Sequence, residues 1–387
     1  MDLNKSKIIV ATHVYATGPS QDLRDYLIEK KIADLLFIGH PLFYDQKFDD
    51  SGLERYRRGE LLNKKYQKIK KRPEFIEYPL QILKTINWVL RSKKKWDLFV
   101  GSDNLNAFSG IILKKLGRVE RVVYYVIDYN PHRFGNKIMN WFYHKVDQFC
   151  VKRADETWNL SERMSEARAE HFGVKKGNQV TAPIGIWYER FEEGRSSKPE
   201  KNCLIFMGHI LKKQGVQHVI DAVPEIIKEI SDFKFRIIGG GEYLDELKKQ
   251  AERLKVSKYI DFTGYVESHK DVERLMNTGS LAIAMYDKYD ESGKLSYTYY
   301  ADPGKLKSYL ASGLPILLTD VSHNAKEIEE KKCGQIIEQD AKSIAKAVIE
   351  LMKDEKTLKE YRKNAINYAK QFDWETIFST QLRRILS

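Results

Sequence analysis

Twice along its length the chain runs through the same alternation of apolar strands and amphipathic helices, and few folds accommodate that pattern. Lys7 to His13, Ala33–Gly39, Trp96–Gly101 and Val122–Ile127 read as strands, with a helix expected over Ala107–Leu116. A polar stretch at 191–201 carries Gly194, Ser196, Ser197 and Pro199 and reads as a linker. The alternation then restarts. Cys203–Met207, Phe233–Ile238, Ile260–Phe262, Leu281–Met285 and Leu314–Leu318 read as strands, and Val216–Ile230 and Tyr243–Leu254 as helices. From Lys356 to Leu386 the tail reads as helical, with a break near Phe372-Asp373-Trp374. Strands alternating with helices make parallel sheets covered on both faces, which is an α/β class with doubly wound sheets. Such sheets bind ligands at the carboxyl ends of their strands. That rule draws attention to His13 and Gly18, to Ser102-Asp103-Asn104, and to Asp128-Tyr129-Asn130. At 387 residues there is room for two such domains.

No apolar run reaches the 18 or so residues that a bilayer-crossing helix needs, and Ile8-Ile9-Val10-Ala11 is too short for a secretory core. Cys150, Cys203 and Cys333 are scattered and odd in number, which points to neither a disulfide framework nor a zinc knuckle. A cytoplasmic setting is expected. The net charge of +12 is concentrated between Arg55 and Lys95, where fourteen lysines and arginines face three acids, with Tyr56, Tyr66, Phe75, Tyr78 and Trp88 interleaved. No nucleic-acid module accompanies them. Solubility and attraction to an anionic membrane surface are the two readings of that stretch.

One segment carries most of the chemistry. Asp302 suits an N-cap, Pro303 a first helical turn, and Leu306, Tyr309 and Leu310 form an apolar face. Gly313 suits a left-handed C-terminal position, and Pro315 stops further winding. The N-terminus of that helix offers unpaired N–H groups and partial positive charge. Gly304 permits close approach there, and Lys305 adds a full cation, so an anion such as a diphosphate is a fitting ligand.

The second half resembles the donor-binding domain of family 4 type GT-B glycosyltransferases. The likeness rests on Phe206 to Val216, Ile237-Ile238-Gly239-Gly240-Gly241-Glu242, Phe262-Thr263-Gly264-Tyr265-Val266, Pro303 to Pro315 and Ser322–Ile328, in family order and spacing. It implies two Rossmann-like doubly wound domains facing a cleft: an acceptor-binding domain over 1–190, and a donor-binding domain over 202–373. Residues 374–387 would cross back onto the first. The implied reaction is retaining transfer from a nucleotide-diphosphate sugar to a glycan or lipid-linked acceptor, with no metal and no further cofactor. An Asp-x-Asp triplet is absent.

The resemblance implies donor contacts from Gly208, His209, Gln214, Gly241, Glu242, Tyr265, Pro303, Gly304 and Leu306, with Lys213 and Lys305 carrying the diphosphate charge. Glu242 is otherwise read as the cap of the helix after it, and Tyr265 as a surface on which the base stacks. Two features depart from the family. His209 and Gln214 stand where relatives place Arg and Lys, and Tyr300 and Ser308 stand where they place two glutamates. Ser308 is left with a hydroxyl for the ribose, and Asp302 is the nearest carboxylate to the sugar. On the acceptor side, Asp128 occupies the place of a family histidine and either takes the acceptor proton or orients Arg133. His13 and Gly18 fall in the first loop, where His13 reads equally as a satisfied strand-end residue. A non-catalytic subunit or sugar-nucleotide sensor is the rival reading, and a GT-B epimerase a third.

Overall fold

The computed structural model describes residues 3–13, 17–42, 50–68, 72–175, 177–195 and 199–387. Residues 69–71 of the basic stretch and 196–198 of the expected linker lie outside that set. The chain forms two compact units, one of residues 1–183 with 374–387, the other of 184–373.

The first unit contains β1 (Lys7–Thr12), α1 (Pro19–Glu29), β2 (Asp34–Gly39), β3 (Asp50–Arg57), β4 (Glu60–Lys68), α2 (Glu74–Arg91) and β5 (Trp96–Ser102). It continues through α3 (Asn104–Lys115), β6 (Val119–Val126), α4 (Lys137–Arg153), β7 (Glu156–Asn159), α5 (Glu162–Phe172) and β8 (Gln179–Thr181). Its eight strands lie in the order β4-β3-β2-β1-β5-β6-β7-β8. All neighbours pair in parallel except β2 with β3 and β3 with β4, so an antiparallel hairpin closes one edge of the expected parallel sheet. That hairpin occupies the start of the basic stretch. β4 is exposed along nearly all its length and shows no inside–outside alternation, so hydropathy does not betray it. Its Lys64, Lys65 and Lys68 suit an edge strand that must not pair further.

At the other face, Arg168 and Asp147 form a fully buried ion pair, Nε to Oδ2 at 2.8 Å, which Tyr124 and Asn159 complete with further hydrogen bonds. Ser20 does not cap the first helix. Gly18 does, and its carbonyl accepts from the N–H groups of Gln21 and Asp22 at 2.9 and 3.1 Å.

The second unit begins with α6 (Tyr188–Gly194), followed by β9 (Cys203–Met207), α7 (Val216–Glu229), β10 (Lys234–Ile238), α8 (Leu244–Arg253), β11 (Ile260–Gly264) and α9 (His269–Asn277). Then come β12 (Leu281–Ala284), α10 (Tyr297–Tyr300), α11 (Gly304–Ser312), β13 (Ile316–Leu318), α12 (Ala325–Glu330), β14 (Gly334–Ile336), α13 (Ala341–Lys353) and α14 (Glu355–Ala369). Its sheet is wholly parallel, in the order β11-β10-β9-β12-β13-β14. The units part at Pro183, before the polar stretch rather than within it. The reason is packing: Tyr188 and Phe191 of α6 are buried in the second unit's core with Leu306, Tyr309 and Leu310.

Helix α15 (Trp374–Leu386) belongs to the first unit, with Phe378 against Tyr26 at 5.4 Å between ring centroids. Among the described residues, no helix is long and apolar enough to cross a membrane.

Candidate functional site

In an open parallel sheet the binding crevice opens where the strand order reverses. In the second unit that point lies between β9 and β12, which are neighbours in the sheet although far apart in sequence. Four segments converge there.

The loop after β9 starts at Gly208, whose φ of +147° leaves room for no ordinary side chain. Its N–H donates to the Ile238 carbonyl at 3.0 Å, and the Ile210 N–H donates to that of Gly240 at 2.9 Å. The loop after β10 is thereby laced to the loop after β9. The lacing demands glycine. A Cβ on Gly239 (φ +140°) would stand 2.0 Å from the Gly208 carbonyl oxygen, and one on Gly241 2.2 Å from that of Ile210. Gly239→Ala should therefore cost about 1–3 kcal/mol of stability and weaken ligand binding in parallel. Chemical denaturation of the two proteins side by side checks it, and an unchanged midpoint would refute the lacing.

Helix α11 supplies the cation. Tyr309 holds it to the sheet by accepting a hydrogen bond from the Met207 N–H at 2.6 Å. Lys305, in its first turn, extends its ammonium over the rings of Phe206 and Tyr286 at 4.7 and 5.3 Å. It donates to Gln214 Oε1 at 2.6 Å, and a Cβ on Gly208 would touch its Nζ at 3.1 Å. Lys305 thus stands at the end of β9, in the crevice. Burial pushes its pKa down to about 7. Tyr286 follows β12; its main chain is clamped by Thr319, and its hydroxyl is buried with no hydrogen-bond partner among the described residues. Sequence reasoning missed Tyr286 and Phe206. An aromatic within a strand (Phe206) or just after one (Tyr286) gives no warning; only the strand order puts both beside Lys305.

Other expected donor residues distribute unevenly. Lys213 and His209 are exposed, and neither is the partner of Lys305; Gln214, between Lys213 and Gly215, is. Glu242 is exposed and caps nothing, since Tyr243 stands at the N-cap of α8. Tyr265 is 80% exposed beside Gly240, with its face open.

Asp302 does not cap α11, whose N-cap is Pro303. Its carboxylate is 1% exposed and accepts from the Lys307 ammonium, from His323 Nε2 at 2.9 Å and from the Ile184 N–H at 2.8 Å. Its acceptor capacity is spent inside the protein, so it is unavailable to sugar hydroxyls. Tyr300 is buried, its ring edge-on to Tyr299 at 5.2 Å. Ser308 turns its hydroxyl back to the Gly304 carbonyl at 3.4 Å. Leu306 is fully buried and serves the core.

The first unit has its own reversal, between β1 and β5. His13, one residue past β1, meets Asp103, one residue past β5, at 2.5 Å, Nδ1 to Oδ2. Its Nε2 lies 2.7 Å from Gln81 Oε1 on α2, and Asn106 steadies the Asp103 carboxylate at 2.9 Å. Burial opposes charge on this ring, but Asp103 and the Gln81 bond outweigh it and raise its pKa. Neighbouring His40, buried and bonded to Ser51 and Thr85, is driven well below the usual range by its burial and by His13. Asp128 accepts from Arg133 at 2.5 Å, while its Oδ1 is buried without a hydrogen-bond partner among the described residues.

Residues 201–354 match the family described as glycosyl transferases group 1. The second unit thus contains a stretch similar to the group 1 glycosyltransferases. The chain is 23% identical over 175 residues to a poly(glycerol-phosphate) alpha-glucosyltransferase of Bacillus subtilis, covering 45% of this chain and 24% of that one. It is 30% identical over 84 residues to an alpha-monoglucosyldiacylglycerol synthase of Streptococcus pneumoniae, covering 21% and 19%. The alignments thus span a quarter or less of those relatives' length. The crystal structure of Anabaena HepE in complex with UDP superposes with a TM-score of 0.68 at 13% identity, over 98% of this chain and 99% of that one. Full coverage by such structures shows that the chain has the GT-B fold, and the stretch that matches the group 1 family lies in its second half.

Proposed function

We propose that this protein is a retaining, metal-independent glycosyltransferase that moves a sugar from a nucleotide-diphosphate sugar to a glycan or lipid-linked acceptor. The observation that carries the reading is the Lys305 ammonium beside Gly208 at the strand-order reversal of the unit that carries the group 1 match. Departure of a nucleoside diphosphate leaves negative charge on a phosphate oxygen, and fixed dipoles with a cation in a partly dry crevice stabilise it. The α11 N-terminus and Lys305 provide those groups, with Lys213 as a mobile supplementary charge. Tyr265 offers its open face to the base, and Ser308 and the Gly241 loop border the ribose. His13, Gly18, Asp128 and Arg133 are assigned to the acceptor. UDP is the first nucleotide to try, because HepE holds it. The named relatives' substrates favour a polyol-phosphate polymer or a glycolipid as acceptor.

A thermal-shift panel of UDP, GDP, ADP and TDP tests the donor site directly. The cognate diphosphate at a hundred times its Kd should add about 2.7 kcal/mol to the native state, a shift of several degrees. No shift with any of the four would remove the reading. Tyr300 and Ser308, in place of two family glutamates, favour a second reading, a nucleotide-sugar sensor without turnover. Slow hydrolysis of the bound sugar nucleotide supports the enzyme; binding with no hydrolysis or transfer supports the sensor. We also assign the basic stretch Arg55–Lys95 to an anionic membrane face on the cytoplasmic side. Arg55 and Lys94 are tied internally to Asp34, which leaves Lys64 and Lys65 of β4 among its outward charges.

A further inference from the structure

Helix α4 is turned the wrong way for a soluble surface. Its inner side, with His144, Asp147, Cys150 and Val151, is buried. On its outer side, Ile138 is 77% exposed, and Trp141 and Phe142 are each 60% exposed. These three with Lys145 are spaced i, i+3, i+4 and i+7, one stripe of a helix. Met139 flanks it. Monomeric proteins seldom leave a contiguous apolar stripe of this kind uncovered.

Its charges identify the occupant. Lys137, Lys145, Lys152 and Arg153 are exposed along the same helix. Its single acid, Asp147, is buried and neutralised by Arg168. The exposed surface of α4 is therefore mainly apolar and aromatic over its first two turns, with Lys137 at its start, and cationic beyond them. Helix α2 repeats the theme. Its last turn leads into the start of β5, as that of α4 leads into β7, so both first turns point toward the carboxyl edge of the sheet. Both helices pack on α3. In the first turn of α2, Phe75 is 78% exposed and Ile76 41%. Two separate tips, each with large apolar side chains, suit a broad planar surface rather than a single groove-binding segment.

We propose that α4, assisted by the first turn of α2, is a lipid-contacting element. Trp141, Phe142 and Ile138 enter the interfacial region of an anionic bilayer, and Lys137, Lys145 and Lys152 meet its phosphates. Aromatic and aliphatic side chains beside lysines have the composition of helices that lie in the membrane interface. The proposal does not require that the protein transfer sugars, and its principal element, α4, lies outside the basic stretch at 55–95, which contains only the assisting turn of α2.

Co-sedimentation of the whole chain with vesicles tests it, using phosphatidylcholine alone and phosphatidylcholine containing phosphatidylglycerol. Wild type should partition onto the anionic vesicles, and the triple substitution Ile138→Ser, Trp141→Ser and Phe142→Ser should weaken partition about tenfold or more. Lys145→Glu with Lys152→Glu should weaken it on anionic vesicles and steepen nothing on neutral ones. Vesicles of brominated lipid should quench wild-type tryptophan emission, and Trp141→Phe should abolish that quenching while retaining binding. The nucleotide-induced thermal shift should survive in the triple variant, so loss of lipid binding and loss of the donor site are read separately. Undiminished partition of the triple variant would overturn the proposal. So would a wild-type chain that ignores both vesicles and instead self-associates through this face, seen in sedimentation velocity as a dimer that the triple variant lacks.

Discussion

Asp302→Ala should lower the stability of the second unit by about 3–5 kcal/mol, the usual cost of leaving one partner of a buried ion pair alone. The carboxylate and the Lys307 side chain are both wholly buried; the ring of Phe372 lies 5.3 Å from the ammonium, and Glu327 is near enough to favour its charge without bonding it. Removing Asp302 also removes the acceptor of the Ile184 N–H and one partner of His323. Burial already drives the pKa of Lys307 down, and loss of the Asp302 charge should drive it further down in the variant. The sign of the pH dependence follows. The unfolded chain keeps its lysine protonated up to about pH 10.4, while the folded variant does not. The unfolded state then binds more protons, and the variant's stability should rise with pH below that value. Replacing both partners, Asp302→Leu with Lys307→Met, should recover much of the loss, because no lone charge remains. Urea unfolding of the three proteins at pH 7 and pH 9 decides it. A loss below about 1 kcal/mol in Asp302→Ala would show that the pair contributes little.

That pair also explains why the most telling segment was only half legible. Leu306, Tyr309, Leu310, Gly313 and Pro315 act locally, through spacing and backbone geometry, and the structure places the helix at Gly304–Ser312 with a left-handed Gly313. Asp302 looked like a cap because an acid before Pro-Gly is a good local cap. Its real partners, Ile184 and His323, lie 118 and 21 residues away, and only tertiary packing supplies them. The same divide runs through the rest. Central strands of both sheets are continuous apolar runs and were readable. The β3–β4 hairpin was not, because β4 is exposed on both faces and β3 is only partly buried. Lys305 was legible as a cation at a helix start; its pairing with Gln214 rather than assistance from Lys213 depends on how the Gly208 loop folds back. His13 was visible as a strand-end residue, whereas Asp103 and Gln81, which hold it from β5 and α2, are joined to it only by strand order.

Binding of UDP should be strongly pH-dependent, and Lys305 should account for it. In the free protein its pKa lies at about 7, lowered by burial. A bound diphosphate favours the charged form, so in the complex the pKa moves back up toward the ordinary lysine value of about 10.4. Between those two values binding takes up a proton, and affinity must fall as pH rises. The phosphate's own last ionisation lies near pH 6 and is complete by pH 7, so it contributes no opposing slope. From pH 7 to pH 9 the apparent Kd for UDP should increase roughly fiftyfold, approaching tenfold per pH unit. Lys305→Ala should abolish that slope and weaken binding at pH 7 by about 10- to 100-fold, equivalent to a charge-assisted contact of about 1.5–3 kcal/mol. Lys213→Ala, on an exposed side chain, should leave the slope in place. Titration calorimetry at pH 8 in two buffers of different ionisation enthalpy counts the proton directly. Close to one proton taken up by wild type and none by Lys305→Ala is the expected result. No uptake by wild type, or a flat affinity across pH 7–9, would mean that the ammonium at the β9–β12 reversal does not meet the diphosphate.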